Sequence, residues 1–161
     1  MDIIWAPWRM KYILGEKKMG CFVCEALPKG VCVETLILRI TPHSLVLLNR
    51  YPYISGHLMV IPKAHVSSLD DLSAEQMADL HETLRFSIRK IQAVLSPHGL
   101  NVGMNLGRAA GAGLEEHIHY HIVPRFMGDN NAMNVLGDVR VIPESLEDTW
   151  NRFLPAFSAD A

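Results

Sequence analysis

The feature of the sequence that most constrains the fold is residues 116–125, Glu-His-Ile-His-Tyr-His-Ile-Val-Pro-Arg. Imidazoles alternate here with branched or aromatic apolar side chains, which is typical of a strand with one buried face. Helical geometry would scatter the histidines around the helix axis, and the residues between them favour a strand. We therefore predict that His117, His119 and His121 stand in one row on one face of a strand.

A row of imidazoles on a rigid strand can transfer protons, attack an electrophile or bind a metal ion. One zinc ion cannot easily take all three, because its nitrogen ligands lie only about 2.0–2.1 Å from the metal. The outer two histidines of the row are separated by about 14 Å along an extended strand. We therefore expect the three histidines to divide between different tasks.

The composition is that of an ordinary globular domain, with 161 residues, 49% hydrophobic and 20% charged. We expect one domain with a substantial core. The net charge of −2 gives no broad basic field, so nucleic acid is not an expected partner. The chain has no apolar run of about 18 residues for a membrane span, and residues 1–5 lack the blocks of a signal peptide. We predict a cytoplasmic protein.

Two of the three cysteines form the motif Cys21-Phe-Val-Cys24. In a reducing compartment such a pair is more often half of a metal site than a disulfide, but a metal site needs two further ligands. A thioredoxin-like redox pair is the alternative. That motif normally lies between a strand and a helix of an α/β unit, which the sequence does not indicate here. Cys32 lies in an apolar run and is predicted to be buried.

Periodicity and turn residues predict antiparallel strands and two helices. The strands are expected at 35–40, 44–49, 57–61 and 100–106 and at the histidine segment, with a possible short strand at 138–142. The long helix begins at Ser73, with Gln76 completing a capping box, and ends before Pro97. Its apolar stripe is Met77, Leu80, Leu84, Ile88, Ile91 and Leu95. A shorter helix is predicted over 145–154, with a frayed tail after Pro155.

Two segments have more than one interpretation. The Gly-rich residues 107–113 lie between the fourth strand and the histidines, where their backbone N–H groups could approach a phosphate. A flexible connection is the alternative. The aromatic residues within 1–20 form either an arm packed on the domain or part of a subunit interface or pocket edge.

The His-x-His-x-His pattern followed by apolar residues resembles the histidine triad (HIT) family. Further segments extend the resemblance over about residues 5–126, and the pattern is most like diadenosine tetraphosphate phosphorylase-like and fragile-histidine-triad-like members. These segments are residues 5–12, 49–53, 56–63, 105–107 and 123–125. The resemblance implies an α+β fold with about five antiparallel strands, one long helix and a short C-terminal helix. The whole chain would be one HIT domain, with an arm at 1–20, a core at 21–126 and an extension at 127–161.

The resemblance also implies roles for individual residues. His119 would attack the α-phosphorus and form a nucleotidyl-histidine, with its other ring nitrogen donating to the backbone carbonyl of His117. His121 would bind phosphate oxygens. The remaining nucleotide-binding residues would be Asn49 at the ribose, Asn105 at the phosphate, and the backbone of Gly111, Ala112 and Gly113.

The resemblance is less informative at three positions, Gly113, His57 and Arg125. Where this chain has Gly113, many relatives have Ser or Thr next to the leaving group. The absence of that hydroxyl leaves the exact reaction open. His57 and Arg125 match motif positions, but the sequence gives them no derivable role.

The resemblance supplies the two missing metal ligands. Cys21, Cys24, His65 and His117 would form a closed Cys₂His₂ site, which marks a structural rather than a catalytic zinc. Such a zinc would also orient the strand that carries His119.

The expected function is cleavage of dinucleoside polyphosphates, most simply phosphorolysis to ADP and ATP, by a homodimer. Two alternatives remain at this stage. One is hydrolysis of nucleoside phosphoramidates or acyl-adenylates, and the other is a nucleotide-binding module with little turnover.

Overall fold

A computed structural model of the chain describes residues 20–129 and 142–159. Five strands form one antiparallel sheet in the order β1-β2-β3-β5-β4. The strands are β1 Ile37–Ile40, β2 Ser44–Leu48, β3 Leu58–Pro62, β4 Gly99–Met104 and β5 Tyr120–Arg125. The helices are α1 Phe22–Ala26, α2 Ala74–Leu95 and α3 Leu146–Ser158. The predicted α+β class and five-stranded antiparallel sheet are confirmed.

The order of the strands brings β5 into the sheet between β3 and β4. Met59 of β3 lies opposite His121, and on the other side Gly103 of β4 lies opposite the same histidine. Both β2 and β3 are buried along their whole length, as expected for near-continuous apolar runs in the centre of a sheet. His121 therefore stands on a rigid support.

The two faces of the sheet are covered differently. Helices α2 and α3 cover one face and form the larger core cluster. On the other face, α1 and Leu114 cover a smaller cluster that includes Leu47, Met59 and Ile61. Since Met59 is the neighbour of His121 across the sheet, the histidines lie on this second face.

Helix α2 begins as predicted, because Ser73 and Gln76 exchange the two hydrogen bonds of a capping box at 3.2 and 2.9 Å. Its fully buried positions include Thr83 and Ser87, which the apolar stripe did not predict. Their small side chains let the helix approach the sheet closely, and the Ser87 hydroxyl is satisfied by donating to the Thr83 carbonyl at 2.8 Å.

Helix α3 corrects one prediction, since it continues through Pro155 to Ser158 instead of fraying. Phe153 and Phe157 are both buried in the larger core cluster, and Arg39 donates to the Phe157 carbonyl at 3.0 Å. Burial of two phenyl rings outweighs the hydrogen bond that Pro155 removes.

Two predictions concern segments that lie almost entirely outside the described residues. The aromatic arm at 1–20, except Gly20, and the possible strand at 138–142, except Ile142, lie outside them. Among the helices that the structure describes, none has both the length and the apolar character needed to cross a bilayer.

Candidate active site and metal site

The structure does not keep the three histidines of the triad in one uniform row. Only His121 lies within β5, and His117 and His119 precede its first residue. The rings of His119 and His121 are neighbours, with centroids 4.9 Å apart. The ring of His117 instead lies beside His65, with centroids 5.0 Å apart. The histidines thus divide between two adjacent sites.

His57, for which no role was derivable from the sequence, belongs to the first site. It is buried, and its ring centroid lies 5.0 Å from that of His121. The His57 Nδ1 accepts the Tyr53 backbone N–H at 3.2 Å and lies 3.4 Å from the Asn49 amide nitrogen. Since Nδ1 is an acceptor, the single proton of the neutral ring is on Nε2.

This proton fixes the state of the next ring. His57 Nε2 donates to His121 Nδ1 at 2.9 Å. His121 must then carry its own proton on Nε2, which makes that atom a hydrogen-bond donor for a bound group. The sequence showed no signal for this relay, because it depends on the pairing of β3 with β5.

His119 has the opposite arrangement. Its Nδ1 lies 2.9 Å from the backbone carbonyl oxygen of His117, which can only accept, so the proton is on Nδ1. The Nε2 atom keeps its lone pair. The site therefore pairs a nucleophilic or basic nitrogen on His119 with a donor on the neighbouring His121.

Both relay histidines are neutral at pH 7. Burial lowers the pKa of His57 to about 3, with a smaller effect from the adjacent His121. Burial lowers the pKa of His121 to about 4, with a smaller effect from His119. The hydrogen bond from His57 to His121 therefore keeps its direction at neutral pH.

The Gly-rich loop lies between β4 and the histidines. Gly107 and Gly111 have φ values of 79° and 86°, which glycine adopts without strain. The N–H groups of Gly111 and Ala112 donate within the loop, to the carbonyls of Arg108 and Gly107. In the part of the chain that the structure describes, the Gly113 N–H has no such partner and remains available to an anion.

The side chains of the two predicted asparagine ligands already have partners. Asn105 Nδ2 donates to the Gly111 carbonyl at 3.5 Å, which ties it to the loop. Asn49 Oδ1 accepts the Tyr51 N–H at 2.9 Å in a local turn. An amide oxygen has two lone pairs, so one remains on Asn49 for a ligand hydroxyl.

The second site consists of the four predicted metal ligands. The ligand atoms of Cys21, Cys24, His65 and His117 all lie within 4.8 Å of one another. Cys21 Sγ is 3.2 Å from His117 Nδ1, and Cys24 Sγ is 3.3 Å from His65 Nδ1. A tetrahedral zinc would separate sulfur and nitrogen ligands by about 3.6 Å, from its usual bond lengths. The donor set fits a zinc ion, and the cluster could hold a metal.

Local structure prepares the ligands of this site. Cys21 immediately precedes α1 and Cys24 lies in its first turn, so both sulfurs reach the same side. His117 Nε2 donates to the Pro62 carbonyl at 2.7 Å, which leaves the Nδ1 lone pair facing the sulfurs. Burial lowers the pKa of His117, and burial together with Cys21 raises the pKa of the Cys24 thiol. A neutral imidazole ligates well, and a cation would favour the thiolate.

Arg125 lies outside both sites. Its guanidinium forms a two-point ion pair with Asp129 at 2.7 and 3.1 Å and donates to Asn101 at 3.0 Å. These contacts join the end of β5 to β4 and to the following turn.

Comparisons with known proteins found similarity along most of the chain. The HIT domain model matches residues 33–128. The AP-4-A phosphorylase of Mycobacterium tuberculosis is 38% identical over 154 residues, which cover 91% of this chain and 79% of that protein. The adenosine 5′-monophosphoramidase of Schizosaccharomyces pombe is 33% identical over 66% of this chain and 75% of its own length. A Zn-bound histidine triad family protein from Mycobacterium smegmatis superposes with a TM-score of 0.67, at 26% identity, over 88% of this chain and 95% of that structure.

The lowered pKa values of His57 and His121 predict loss of stability in mild acid. An unfolded histidine binds a proton near pH 6.5, whereas the folded protein resists binding it until pH 4 or below. The free energy of unfolding should fall as the pH falls from 6.5 to 5, by up to about 1.4 kcal/mol per pH unit for each such histidine. Urea denaturation at several pH values measures this slope.

The test variant is His57→Gln, which should reduce the slope. An unchanged slope in His57→Gln would contradict the assignment.

Proposed function

Because this chain belongs to the HIT family, we propose that it cleaves dinucleoside polyphosphates such as diadenosine tetraphosphate at the α-phosphate. The observation that carries the proposal is the hydrogen bond from His119 Nδ1 to the His117 carbonyl, which leaves Nε2 as a nucleophile beside the His121 donor. The 38% identity to an AP-4-A phosphorylase supports the substrate class.

In the proposed first step, His119 Nε2 attacks the α-phosphorus, and the bond from phosphorus to the bridging oxygen breaks. With diadenosine tetraphosphate, ATP leaves and an adenylyl-histidine forms. The attacking imidazole gains positive charge, which the His117 carbonyl stabilises through Nδ1–H. The His121 Nε2–H stabilises negative charge on the phosphoryl oxygens.

In the second step, an oxygen of inorganic phosphate attacks the same phosphorus and releases ADP, which restores neutral His119. Water as the acceptor would release AMP. We propose phosphate as the acceptor, in line with the name of the 38% identical relative. A pure binding module would not need a nucleophile held in one tautomer at this position.

The remaining residues would bind the nucleotide. Asn49 would accept a ribose hydroxyl with its second lone pair, and Asn105 would orient the phosphate through its link to the loop. The Gly113 N–H would donate to a phosphate oxygen. Gly111 and Ala112 would act through the loop shape that their internal hydrogen bonds hold.

We further propose that Cys21, Cys24, His65 and His117 hold a structural zinc. Zinc would supply a closed tetrahedral crosslink between α1, the segment after β3 and the segment before β5. The Zn-bound relative supports this assignment. Free thiols kept as metal ligands also suit the reducing cytoplasm, the compartment that we propose.

The chain is also proposed to form a homodimer. Strand β4 has β5 on one side and no strand on the other among the described residues, and Val102 and Leu106 expose 42% and 54% of their surface. An open edge strand with exposed apolar side chains is a surface that a second copy can cover.

The products of diadenosine tetraphosphate cleavage identify the acceptor. We expect ADP plus ATP only when phosphate is present, resolved by ion-exchange chromatography. AMP plus ATP without phosphate would make the enzyme a hydrolase. No cleavage in either case, together with turnover of an adenosine phosphoramidate, would favour the activity of the 33% identical monophosphoramidase.

The variant His119→Ala should lower kcat by several orders of magnitude, because it removes the atom that forms the covalent intermediate. Nucleotide affinity, measured by calorimetry, should change by less than about threefold, since the proposed ribose and phosphate contacts lie elsewhere. His81→Ala on α2 is the matched control and should keep full activity. Substantial turnover by His119→Ala would exclude the covalent mechanism.

Metal analysis of the purified protein should give about one zinc ion per chain. Cys21→Ala should lose the ion and lower the thermal midpoint, because it removes one of four ligands. Cys32→Ala should retain both properties, since Cys32 contacts Thr35 instead of the cluster. A zinc-free wild-type protein would refute the zinc assignment.

A further inference from the structure

We propose that Cys21 and Cys24 form an oxidation-sensitive modification site that controls the nucleophile. A hydroperoxide would convert the pair to a disulfide, release His117 from the cluster and lower the reactivity of His119. The inference rests on the proposed metal site and on the proposed role of His119, and it adds regulation to both.

The two sulfurs are accessible and close. Cys24 is exposed and Cys21 is half-buried, both are free thiols, and their sulfurs lie within 4.8 Å of each other. Closing a disulfide requires these sulfurs to approach to about 2.05 Å. Cys21 lies outside α1 with extended backbone angles of −87° and 111°, so it can adjust without breaking the helix.

The chemistry balances with a hydroperoxide as the oxidant. One cysteine sulfur attacks the peroxide oxygen, which gives a sulfenic acid and releases water from hydrogen peroxide. The second sulfur then displaces the hydroxyl group as a second water and forms the S–S bond. Two thiols lose two electrons and two protons, and the peroxide accepts them. A thiol reductant reverses the reaction by exchange.

Disulfide formation removes a contact that holds His117. A disulfide sulfur is no longer a thiolate ligand, so the cluster loses both of its sulfur donors, including the one 3.2 Å from His117 Nδ1. Two hydrogen bonds still join this segment to β3 and the residues after it, from His117 Nε2 to the Pro62 carbonyl and from the Ile118 N–H to the Val66 carbonyl.

Movement of His117 reaches the nucleophile directly. The His117 carbonyl is the acceptor that keeps the proton of His119 on Nδ1. Paired residues of β5 begin only at Tyr120, so the peptide that carries this carbonyl is held by the Ile118 N–H bond to Val66 and by the His117 ring rather than by the sheet ladder. If the bond weakens, His119 can place its proton on Nε2, and that tautomer has no lone pair for attack.

The effect should be confined to one side of the active site. The relay from His57 to His121 is held by Tyr53 and Asn49, which lie outside the cysteine cluster. Phosphate binding by His121 should therefore survive oxidation. We expect kcat to fall at least about tenfold while KM changes by less than about twofold, because a transition-state contact is lost rather than a uniform binding contact.

The test uses the full-length, zinc-loaded chain carrying Cys32→Ala, which removes the one cysteine outside the pair and should have unchanged basal activity. One equivalent of hydrogen peroxide should abolish two titratable thiols, release zinc to a colorimetric chelator and lower kcat. Nitrogen-15 NMR of the His119 ring should show loss of the pure Nδ1–H tautomer. Dithiothreitol with added zinc should restore every property.

Two results would overturn the proposal. One is a disulfide with zinc release but an unchanged His119 tautomer. The other is a Cys24→Ala variant, which cannot form the disulfide, losing the same fraction of its activity to peroxide as the Cys32→Ala chain does. If that variant does not fold, the NMR result on the Cys32→Ala chain decides. If the reduced enzyme does not cleave diadenosine tetraphosphate, the proposed function is refuted instead. The two failures can be told apart because the NMR measurement of the His119 tautomer needs no substrate.

Discussion

The hydrogen bond between His119 Nδ1 and the His117 carbonyl is the contact on which the candidate active site depends. A neutral imidazole has one proton and two nitrogens, so an acceptor on one nitrogen decides the chemistry of the other. A backbone carbonyl suits this purpose because it cannot donate in any protonation state. The orientation of His119 therefore depends on the position of the main chain two residues earlier.

The position of that main chain depends in turn on the Ile118 N–H bond to the Val66 carbonyl and on the ring of His117. One ring nitrogen donates to Pro62 at the end of β3, and the other faces Cys21 and Cys24. The candidate metal site and the candidate active site therefore share His117, whose side chain belongs to the first and whose backbone carbonyl belongs to the second. A metal ion held by the cluster, as proposed, would therefore be linked to His119 through this one residue.

Periodicity and capping predicted the sheet and the start of α2 from the sequence, whereas the Cys-x-x-Cys motif and the family resemblance supplied the four clustered residues Cys21, Cys24, His65 and His117. What they missed depends on contacts between distant segments. His57 lies beside His121 in the candidate active site because β3 pairs with β5, and no local pattern around His57 encodes that pairing. Likewise, Phe157 extends α3 past Pro155 because the core accepts its ring, which outweighs the local signal to stop. In the loop, Gly111 and Ala112 use their N–H groups internally, which composition does not reveal.

Gly113 bears on the choice of substrate. A Cβ atom there would meet nothing within 4 Å, and its φ is not left-handed, so the fold does not require glycine. The missing hydroxyl therefore matters for chemistry rather than for folding. A polyphosphate leaves as a stabilised anion and needs no proton, whereas the amine of a phosphoramidate must be protonated as it leaves. A site whose position 113 offers only a backbone N–H is thus better suited to a phosphate leaving group than to an amine.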